Sequence, residues 1–426
     1  MLDVELFRTR LEEVKASQQK RFRNLDYPDK VVEFDREWRA ATKEVNELRR
    51  RRNQLSKRVG EVVRSGGDAS AIKEEVRQLN ERIAEAEARE KELKRKRDEY
   101  RYGVGNLLHP DVPVGEGEEA NVVLRSWGEL PEFPFQPRSH VELVELVCGA
   151  DTKKASQVSG SRFYYLKNDL VRLNLALLCF GVDYLTRRGF QPFWTPYFLR
   201  RSVIAEAAEL ADFEDQLYKV EGDDLFLIAT SEQTLAALHR GELLDVDQLP
   251  LLYCGVSSCF RREAGSHGKD TLGIFRVHQF EKVEQFVYCT AEQSWEMHER
   301  LVANAEGIYR ALGLPYRVVD IASGEMNDNA ARKFDLEAWF PASGVYRELV
   351  SCSNCLDYQA RKLKIKYGKP GSDPKERRVV HTLNSTAIAT ERTICCLLEN
   401  YQQEDGSVVV PDVLRPYMGG QSRIPP

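Results

Sequence analysis

The chain has 426 residues, a net charge of −5 and 42% hydrophobic residues, a composition that excludes a wholly disordered protein. No run of about 18 apolar residues occurs, which excludes a membrane-spanning helix, and the acidic first residues predict no secretory signal. The nine cysteines are scattered, which argues against a disulfide framework and predicts a reducing, cytoplasmic location.

The charge is divided unevenly along the chain. Residues 1–101 carry 27 Lys and Arg against 22 Asp and Glu, whereas the remainder carries 35 against 45. A basic segment of +5 therefore precedes an acidic body of −10. This asymmetry indicates a polyanionic partner only weakly.

The basic segment predicts a helical hairpin. Apolar residues recur at alternating steps of three and four from Val31 to Val62, and again from Ile72 to Tyr100. The short turn sequence at 65–68 predicts that the two helices run antiparallel. Because two helices bury little surface by themselves, we expect this arm, about residues 31–101, to bind a partner. The alternative is a coiled coil that serves only as a spacer or as a dimerisation element.

The rest of the chain predicts a linker and an α+β body. We expect an N-terminal domain over 1–103, a Pro-punctuated linker over 104–139 and a second domain over 140–426. Within it a helix is predicted over 170–185, and the connections between short apolar runs favour an antiparallel sheet flanked by helices. The predicted strands lie near 226–229, 251–256, 275–280, 285–288, 316–320, 334–338 and 347–351. No G-x-G-x-x-G or Walker-type sequence supports a Rossmann or P-loop site.

The stretch 259–284 contains the highest density of charged and aromatic candidate site residues. Its pattern predicts a strand, a glycine-containing loop and a second strand. On the first strand Arg261 and Glu263 share a face, as Arg276 and Phe280 do on the second. An antiparallel pair would bring two arginines, a carboxylate and a ring over one surface. Arginine suits polyphosphate and a ring can stack on a base. A surface hairpin with solvated ion pairs is the alternative.

Several segments of the chain, in order, carry a family resemblance. They are the helical hairpin, Gly189–Pro196, Ala229–Glu232, the stretch 259–284, Arg347–Arg361 and Leu383–Gln402. Together they resemble the seryl members of the class II aminoacyl-tRNA synthetases, with motif 1 at 189–196, motif 2 at 259–284 and motif 3 at 383–402. Details such as Gly265–Gly268 and 386–393 are most similar to the eukaryotic cytosolic type. The resemblance implies an antiparallel sheet flanked by helices, with an N-terminal two-helix coiled-coil arm.

The resemblance also implies a two-step ligase reaction. Serine and ATP would form seryl-adenylate and pyrophosphate, and the seryl group would pass to the 3′ end of tRNA(Ser), and also to tRNA(Sec). The implied cofactors are ATP and Mg²⁺. Zinc is not expected, because the lone Cys352-x-x-Cys355 lacks the second ligand pair of a structural zinc site.

The family's functional residues carry over onto matching positions of this chain, with Arg261 and Arg392 as the catalytic pair. His278 is left between a catalytic role and that of a buried structural histidine. The implied Mg²⁺ ligands, acting through the phosphates, are Glu348 and Ser351. The implied ATP site consists of Arg261, Arg262, Glu263, Arg276, Val277, His278, Gln279, Phe280, Glu348, Leu349, Val350, Ser351 and Arg392. The implied serine site consists of Thr230, Ser231, Glu232, Arg261, Glu284, Asn384 and Thr386.

The basic residues of the arm are interpreted as phosphate contacts at comparable heights of the hairpin. By resemblance, the arm of one subunit of a homodimer holds the long variable arm of tRNA(Ser) bound to the other subunit. The residues concerned are Arg49, Arg50, Arg51, Lys94, Arg95 and Lys96.

Two other functions remain open. A paralogue that charges a carrier usually lacks the arm, which this chain has. A non-catalytic RNA-binding scaffold would be expected to lose Arg261, Arg276, Glu348 or Arg392, and all four are present.

Overall fold

The computed structural model describes residues 1–207, 216–263 and 272–426. They form two compact units, Met1–Gly105 and Asn106–Pro426. In this part of the chain no helix is both long and apolar enough to cross a membrane. The motif 2 detail Gly265–Gly268 lies outside the described residues.

The first unit is helical and contains the predicted hairpin. The two hairpin helices are longer than the apolar pattern predicts, about 58 and 50 Å, because the first begins five residues before Val31. Its first turn contains Pro28, which is tolerated where backbone N–H groups lack helical partners. The helices are Val4–Thr9 (α1), Leu11–Lys20 (α2), Asp26–Arg64 (α3) and Ser70–Tyr102 (α4).

The hairpin is held together by the predicted apolar seam. Leu48 and Leu55 of α3 pack with Leu79 and Ile83 of α4 in one buried cluster. The intervening Arg52 stays at the half-exposed edge of the seam. The heptad interpretation of the segment is therefore confirmed by the packing.

A buried ion-pair network closes the base of the hairpin. Asp35 is 1% exposed and accepts hydrogen bonds from Arg8 Nε and Nη2 at 2.8 and 2.9 Å. The buried Arg97 lies 3.3 Å from the same carboxylate. Although burial opposes ionisation, Arg8, Arg39 and Arg97 hold the pKa of Asp35 below its ordinary value. The base of the hairpin thus keeps its charges paired.

The second unit is built on one large sheet with helices packed against it. Its helices are His140–Leu146 (α5), Thr152–Ser159 (α6), Asn168–Thr186 (α7), Arg201–Ala207 (α8), Ser231–Ala237 (α9), Ser294–Ala311 (α10), Tyr358–Leu363 (α11) and Thr390–Tyr401 (α12). Its strands are Val122–Trp127 (β1), Ala150–Asp151 (β2), Tyr165–Leu166 (β3), Gln191–Trp194 (β4), Phe198–Arg200 (β5), Leu225–Leu227 (β6), Leu243–Asp245 (β7), Leu251–Phe260 (β8), Gln279–Cys289 (β9), Tyr316–Asp320 (β10), Arg332–Phe340 (β11), Val345–Asn354 (β12), Lys366–Gly368 (β13), Arg378–Val379 (β14), His381–Ala389 (β15), Val408–Val409 (β16) and Arg423–Ile424 (β17).

Among the described residues the large sheet has the strand order β1-β10-β11-β12-β15-β9-β8-β4. Its neighbours pair antiparallel except β4 and β8, which are parallel. The predicted antiparallel sheet is confirmed. The predicted linker is wrong over Val122–Trp127, because this segment forms edge strand β1. All six of its residues are exposed, so the strand lacks the alternating burial that reveals a strand in sequence.

His298 gives the fold a predictable sensitivity to acid. Its ring lies on α10, stacks on Phe334 and is 1% exposed, and its Nε2 donates to the backbone oxygen of Cys352 at 3.3 Å. Burial lowers the pKa of His298 to about 4, whereas the pKa of a histidine in an unfolded chain is about 6.5. Between these two pH values the unfolded chain therefore binds more protons than the folded chain. The free energy of unfolding decreases by up to about 3 kcal/mol as the pH is lowered through this window.

We expect His298→Gln to flatten this part of the pH profile, since glutamine keeps an N–H donor but does not titrate. The measurement is the free energy of urea unfolding between about pH 7 and pH 4.5. The difference between variant and parent isolates His298 from the carboxylates, which titrate in both. Parallel profiles would show that His298 does not limit acid stability.

Candidate functional site

A cavity of about 380 Å³ lies over neighbouring strands of the large sheet. Strands β9, β15, β12 and β11 supply its floor, and the start of α12 supplies one wall. Its described lining consists of Gln216, Thr230, Glu232, Arg261, Glu263, Phe275, Arg276, Val277, Phe280, Lys282, Glu284, Glu325, Asn327, Lys333, Glu348, Leu349, Ser351, Ser353, Asn384, Thr386, Ala389, Glu391 and Arg392. Most of the predicted ATP and serine residues therefore meet in one cavity.

The motif 2 residues reach the cavity from beyond the strand ends, which corrects the strand prediction. The last strand pair is Phe260 with Gln279, so the segment 275–278 is not a strand and the strand predicted at 285–288 is part of β9. Glu263 turns the chain with a positive φ of 49°, a conformation rare outside glycine. Arg276 Nε lies 3.4 Å from Glu263 Oε2. The pair therefore meets beyond the ends of the paired strands, where strand alternation no longer applies.

One face of β9 does follow the predicted alternation. Phe280, Lys282 and Glu284 all point into the cavity. The Arg261 guanidinium lies over the Phe280 ring, 5.2 Å from its centroid, and Lys282 Nζ lies 2.5 Å from Glu284 Oε2. Burial raises the pKa of Glu284 although Lys282 acts in the opposite direction.

A second carboxylate group lies where α9 begins. Thr230 caps this helix, because its hydroxyl accepts a hydrogen bond from the backbone N–H of Glu232 at 3.1 Å. Glu232 Oε1 accepts from Asn384 Nδ2 at 3.1 Å and from Gln359 Nε2 at 3.0 Å. Burial raises the pKa of Glu232. Glu232 and Glu284 thus line the same cavity, and the positive charge of Lys282 opposes the raised pKa of both carboxyl groups.

Two β-bulges direct side chains into the cavity. The register of β11 and β12 shifts so that Leu349 is the extra residue, and both Glu348 and Leu349 line the cavity. A second shift follows Thr386 in β15, and Ala389 then faces the cavity where strict alternation would turn it away. A simple period of two could not have predicted these orientations.

The first turn of α12 brings Arg392 beside Glu348. Arg392 Nη1 donates to the backbone oxygen of Glu348 at 3.1 Å and lies 3.7 Å from its Oε2. Its guanidinium also lies 5.2 Å from the centroid of the Phe275 ring. Arg392 and Lys333, with the other arginines, hold the pKa of Glu348 below its ordinary value. The cavity thus keeps an ionised carboxylate among cations.

Five of the residues that were predicted for the ATP and serine sites do not line this cavity. A side-chain contact of these five with a ligand in the cavity is therefore unsupported. Val350 and Ser231 are buried elsewhere, and Arg262 and Gln279 are exposed. The His278 ring stacks on Phe163 and its Nδ1 lies 2.7 Å from the backbone oxygen of Arg261 and 2.9 Å from Tyr218 Oη. These contacts favour the structural alternative for His278.

The sequence also missed residues that line the cavity. Lys282 could have been found from its spacing between Phe280 and Glu284, and Glu391 from its position beside Arg392. Gln216, Glu325 and Asn327 lie between regular elements, where no periodic pattern points to them. The remaining missed residues are Phe275, Lys333, Ser353 and Ala389.

The residues that were predicted to hold Mg²⁺ have suitable chemistry. Glu348 and Ser351 present oxygen donors on the same strand, and the neighbouring Asp335 has a buried Oδ1 that finds no hydrogen-bond partner among the described residues. This donor set fits a hard cation. Within the described residues no three His, Cys, Asp or Glu side chains cluster as a metal site. Cys352 and Cys355 are both buried.

The basic residues of the hairpin are exposed but lie at two heights, which corrects the sequence interpretation. Arg49 Nη2 pairs with Glu87 Oε1 at 2.8 Å, whereas Lys96 Nζ lies 5.8 Å from the Phe34 ring centroid. Phe34 and Arg49 are about 22 Å apart along α3, because each helical residue rises 1.5 Å. The two groups are Arg49, Arg50 and Arg51 on α3 and Lys94, Arg95 and Lys96 on α4.

Comparison with known proteins identifies the family. The model of the seryl-tRNA synthetase N-terminal domain matches residues 1–108, and that of the class II tRNA synthetase core domain (G, H, P, S and T) matches residues 216–401. A serine–tRNA ligase of Methanosphaera stadtmanae is 55% identical over 424 residues, which cover 100% of this chain and 99% of the relative. The chain belongs to the seryl-tRNA synthetases.

Other relatives agree with this assignment. The cytoplasmic serine–tRNA ligase of Arabidopsis thaliana is 48% identical over 439 residues, covering 100% of this chain and 96% of the relative. The crystal structure of the seryl-tRNA synthetase of Pyrococcus horikoshii complexed with ATP has a TM-score of 0.93, 46% identity and full coverage of both chains. The predicted family, class II fold and ligase activity are confirmed, and the resemblance to the eukaryotic cytosolic type extends to archaeal enzymes.

Proposed function

We propose how this serine–tRNA ligase divides its reaction between the cavity and the hairpin. The observation that carries the proposal is the meeting of three arginines, Arg261, Arg276 and Arg392, with the carboxylates of Glu232 and Glu284 in one cavity. Cations suit the phosphates of ATP, and carboxylates suit the ammonium and hydroxyl groups of serine. Seryl-adenylate would form where these two sets adjoin.

The ATP side is assigned to the residues around Phe280. Its ring would stack on adenine, and Glu263 would accept the exocyclic amino group. Arg261 would hold the α-phosphate and the reacting carboxylate, while Arg276 and Arg392 would hold the outer phosphates. Arg392 lies in the first turn of α12, where the helix dipole also favours negative charge. Positioning and charge neutralisation would then lower the barrier.

Glu348 and Ser351 would hold Mg²⁺. When bound, the cation neutralises phosphate charge during displacement of pyrophosphate. This chain contributes the oxygen donors, and Arg392 keeps the Glu348 carboxylate ionised beside them.

The serine side is assigned to Glu284, Glu232 and Asn384, with Thr230 and Thr386 at its edge. Glu284 would take the α-ammonium group, for which Lys282 is the competing cation in the free enzyme. Glu232 and Asn384, already hydrogen-bonded to each other, would read the hydroxyl. A site built for a hydroxyl rejects alanine because its buried polar groups would lose their partner.

The hairpin is assigned to tRNA. Its two groups of exposed cations, about 22 Å apart, suit an extended phosphate backbone such as a long variable arm. We propose that the enzyme is a cytoplasmic homodimer, that each hairpin binds tRNA(Ser) held by the other subunit, and that tRNA(Sec) is a further substrate. The cytoplasmic plant relative supports the location.

ATP–pyrophosphate exchange tests the proposal. Exchange should depend on serine and Mg²⁺, and kcat/KM should be at least about 10³-fold lower with alanine and about 10²-fold lower with threonine, which size alone must exclude. Exchange that proceeds equally well with alanine would contradict the assignment of the serine site. The alternatives of a carrier-charging paralogue and a non-catalytic scaffold are not favoured. The hairpin is present, and so are the four residues Arg261, Arg276, Glu348 and Arg392.

A further inference from the structure

A short segment outside the three motifs contacts both sides of the cavity. Arg162 Nη1 donates to the backbone oxygen of Glu263 at 3.3 Å, and the Arg162 oxygen accepts from the backbone N–H of His278 at 3.1 Å. The next ring, Phe163, stacks on His278 with centroids 5.0 Å apart. Two consecutive residues thus contact motif 2 at Glu263 and at His278.

The third residue of this segment, Tyr164, reaches the opposite wall. Its hydroxyl donates to Oε1 of Glu391 at 2.5 Å. Glu391 is 1% exposed, lines the cavity and immediately precedes Arg392 on α12. Tyr164 is therefore linked to the first turn of α12, the motif 3 helix.

Glu391 in turn fixes the backbone beside Phe280. The strand pairing of β15 with β9 ends at Ala389 and Lys282. Beyond that point side chains continue it, because both Glu391 carboxylate oxygens accept from the backbone N–H of Glu281 at 3.2 Å. Thr390 Oγ1 lies 3.2 Å from the Glu281 carbonyl oxygen and 2.9 Å from Glu391 Oε2. The carboxylate thus extends the ladder by one residue.

We infer that Tyr164 is a positioning residue for the ATP site, acting through Glu391. Its hydroxyl holds the carboxylate that ties the Phe280 backbone to the first turn of α12, and so sets the distance between the Phe280 ring and Arg392. The inference rests on the proposed roles of Phe280 and Arg392 toward ATP. The serine side has its own contacts, between Glu232 and Asn384 and between Lys282 and Glu284, which do not involve Tyr164.

Tyr164→Phe removes only the hydroxyl and tests the inference. Tyr165→Phe is the matched control, because the neighbouring Tyr165 is 47% exposed. We expect calorimetry to show about five- to tenfold weaker ATP binding in Tyr164→Phe, the usual cost of one buried hydrogen bond. Serine binding and the Tyr165→Phe variant should match the parent. In exchange assays KM for ATP should rise with little change in kcat or in KM for serine.

Glu391→Gln provides a second route if Tyr164→Phe lowers the melting temperature. Glutamine keeps one acceptor oxygen, so ATP binding should weaken in the same direction, at a temperature where both variants remain folded. Unchanged ATP binding in both variants would overturn the inference, as would an equal loss of serine affinity, which would indicate general loosening. Because binding is measured without turnover, a parent enzyme that binds ATP but shows no exchange would refute the proposed function separately.

Discussion

Replacing Arg392 by alanine should reduce serine-dependent ATP–pyrophosphate exchange by about 10³-fold. Arg392 supplies a permanent positive charge at the start of α12, 3.1 Å from the backbone oxygen of Glu348 and over the Phe275 ring. Its loss would remove a phosphate contact and leave the ionised Glu348 facing the phosphates without its closest cation. Charge that is positioned before the reaction is costly to lose because water replaces it poorly.

The matched control is Arg378→Ala. Arg378 also belongs to the second unit and pairs with a carboxylate, Glu292, but both side chains are about two-thirds exposed. Surface pairs of this kind contribute little, so exchange and thermal stability should match the parent. A tenfold change in rate corresponds to about 1.4 kcal/mol of activation free energy. If exchange by Arg392→Ala stayed within about tenfold of the parent, Arg392 would not hold the phosphates.

Shortening the hairpin should separate the two steps of the reaction. We expect replacement of residues 48–85 by a four-residue Gly-Ser linker to lower kcat/KM for tRNA(Ser) charging by about 10²- to 10³-fold, since several phosphate contacts are lost. Exchange should be unchanged, because the cavity lies in the other compact unit. This design retains the base of the hairpin, with Asp35, Arg8 and Arg97 paired as in the full chain.

The triple change of Arg49, Arg50 and Arg51 to alanine is the milder companion to this deletion. It keeps the apolar seam but removes about three positive charges, so the dependence of tRNA affinity on salt should become shallower. An equal loss of exchange and charging in the shortened enzyme would contradict the division of labour between hairpin and cavity. A salt dependence identical to that of the parent would exclude these three arginines from the tRNA contact.

The hairpin was predictable because its fold depends on local periodicity. A heptad seam needs only apolar residues at regular spacing, and the turn at 65–68 sets the antiparallel pairing. The heights of the basic groups follow from the same turn: residues equally far from it face each other, so Arg50 lies near residue 83 and Arg95 near residue 38. The turn therefore places the two basic groups at different heights, contrary to the expectation from the sequence.

The cavity was predictable in its residue types but not in its backbone. The resemblance named most of its lining, from Arg261 to Arg392. The strand alternation assumed for motif 2 failed because the β8–β9 ladder ends at Phe260 and Gln279, and Glu263 and Arg276 meet beyond these strand ends. The bulge at Leu349 depends on how β11 and β12 pair, which is a tertiary property.

Contacts between distant segments were the least accessible to sequence reasoning. The link from Tyr164 to Glu391 joins residues 227 positions apart and has no periodic signature. The edge strand β1 was missed for a related reason. Its partner, β10, follows almost 190 residues later, and its own side chains are exposed on both faces.

The central claim is that this cavity binds serine and ATP side by side, and the most direct test is the affinity for a non-hydrolysable seryl-adenylate analogue with a sulfamoyl linkage. Calorimetry should find binding that is at least about 10²-fold tighter than for the corresponding alanyl analogue, because only serine pairs the buried polar groups around Glu232. Arg261→Ala should abolish that binding. Equal affinity for the two analogues, or binding that survives Arg261→Ala, would contradict the account.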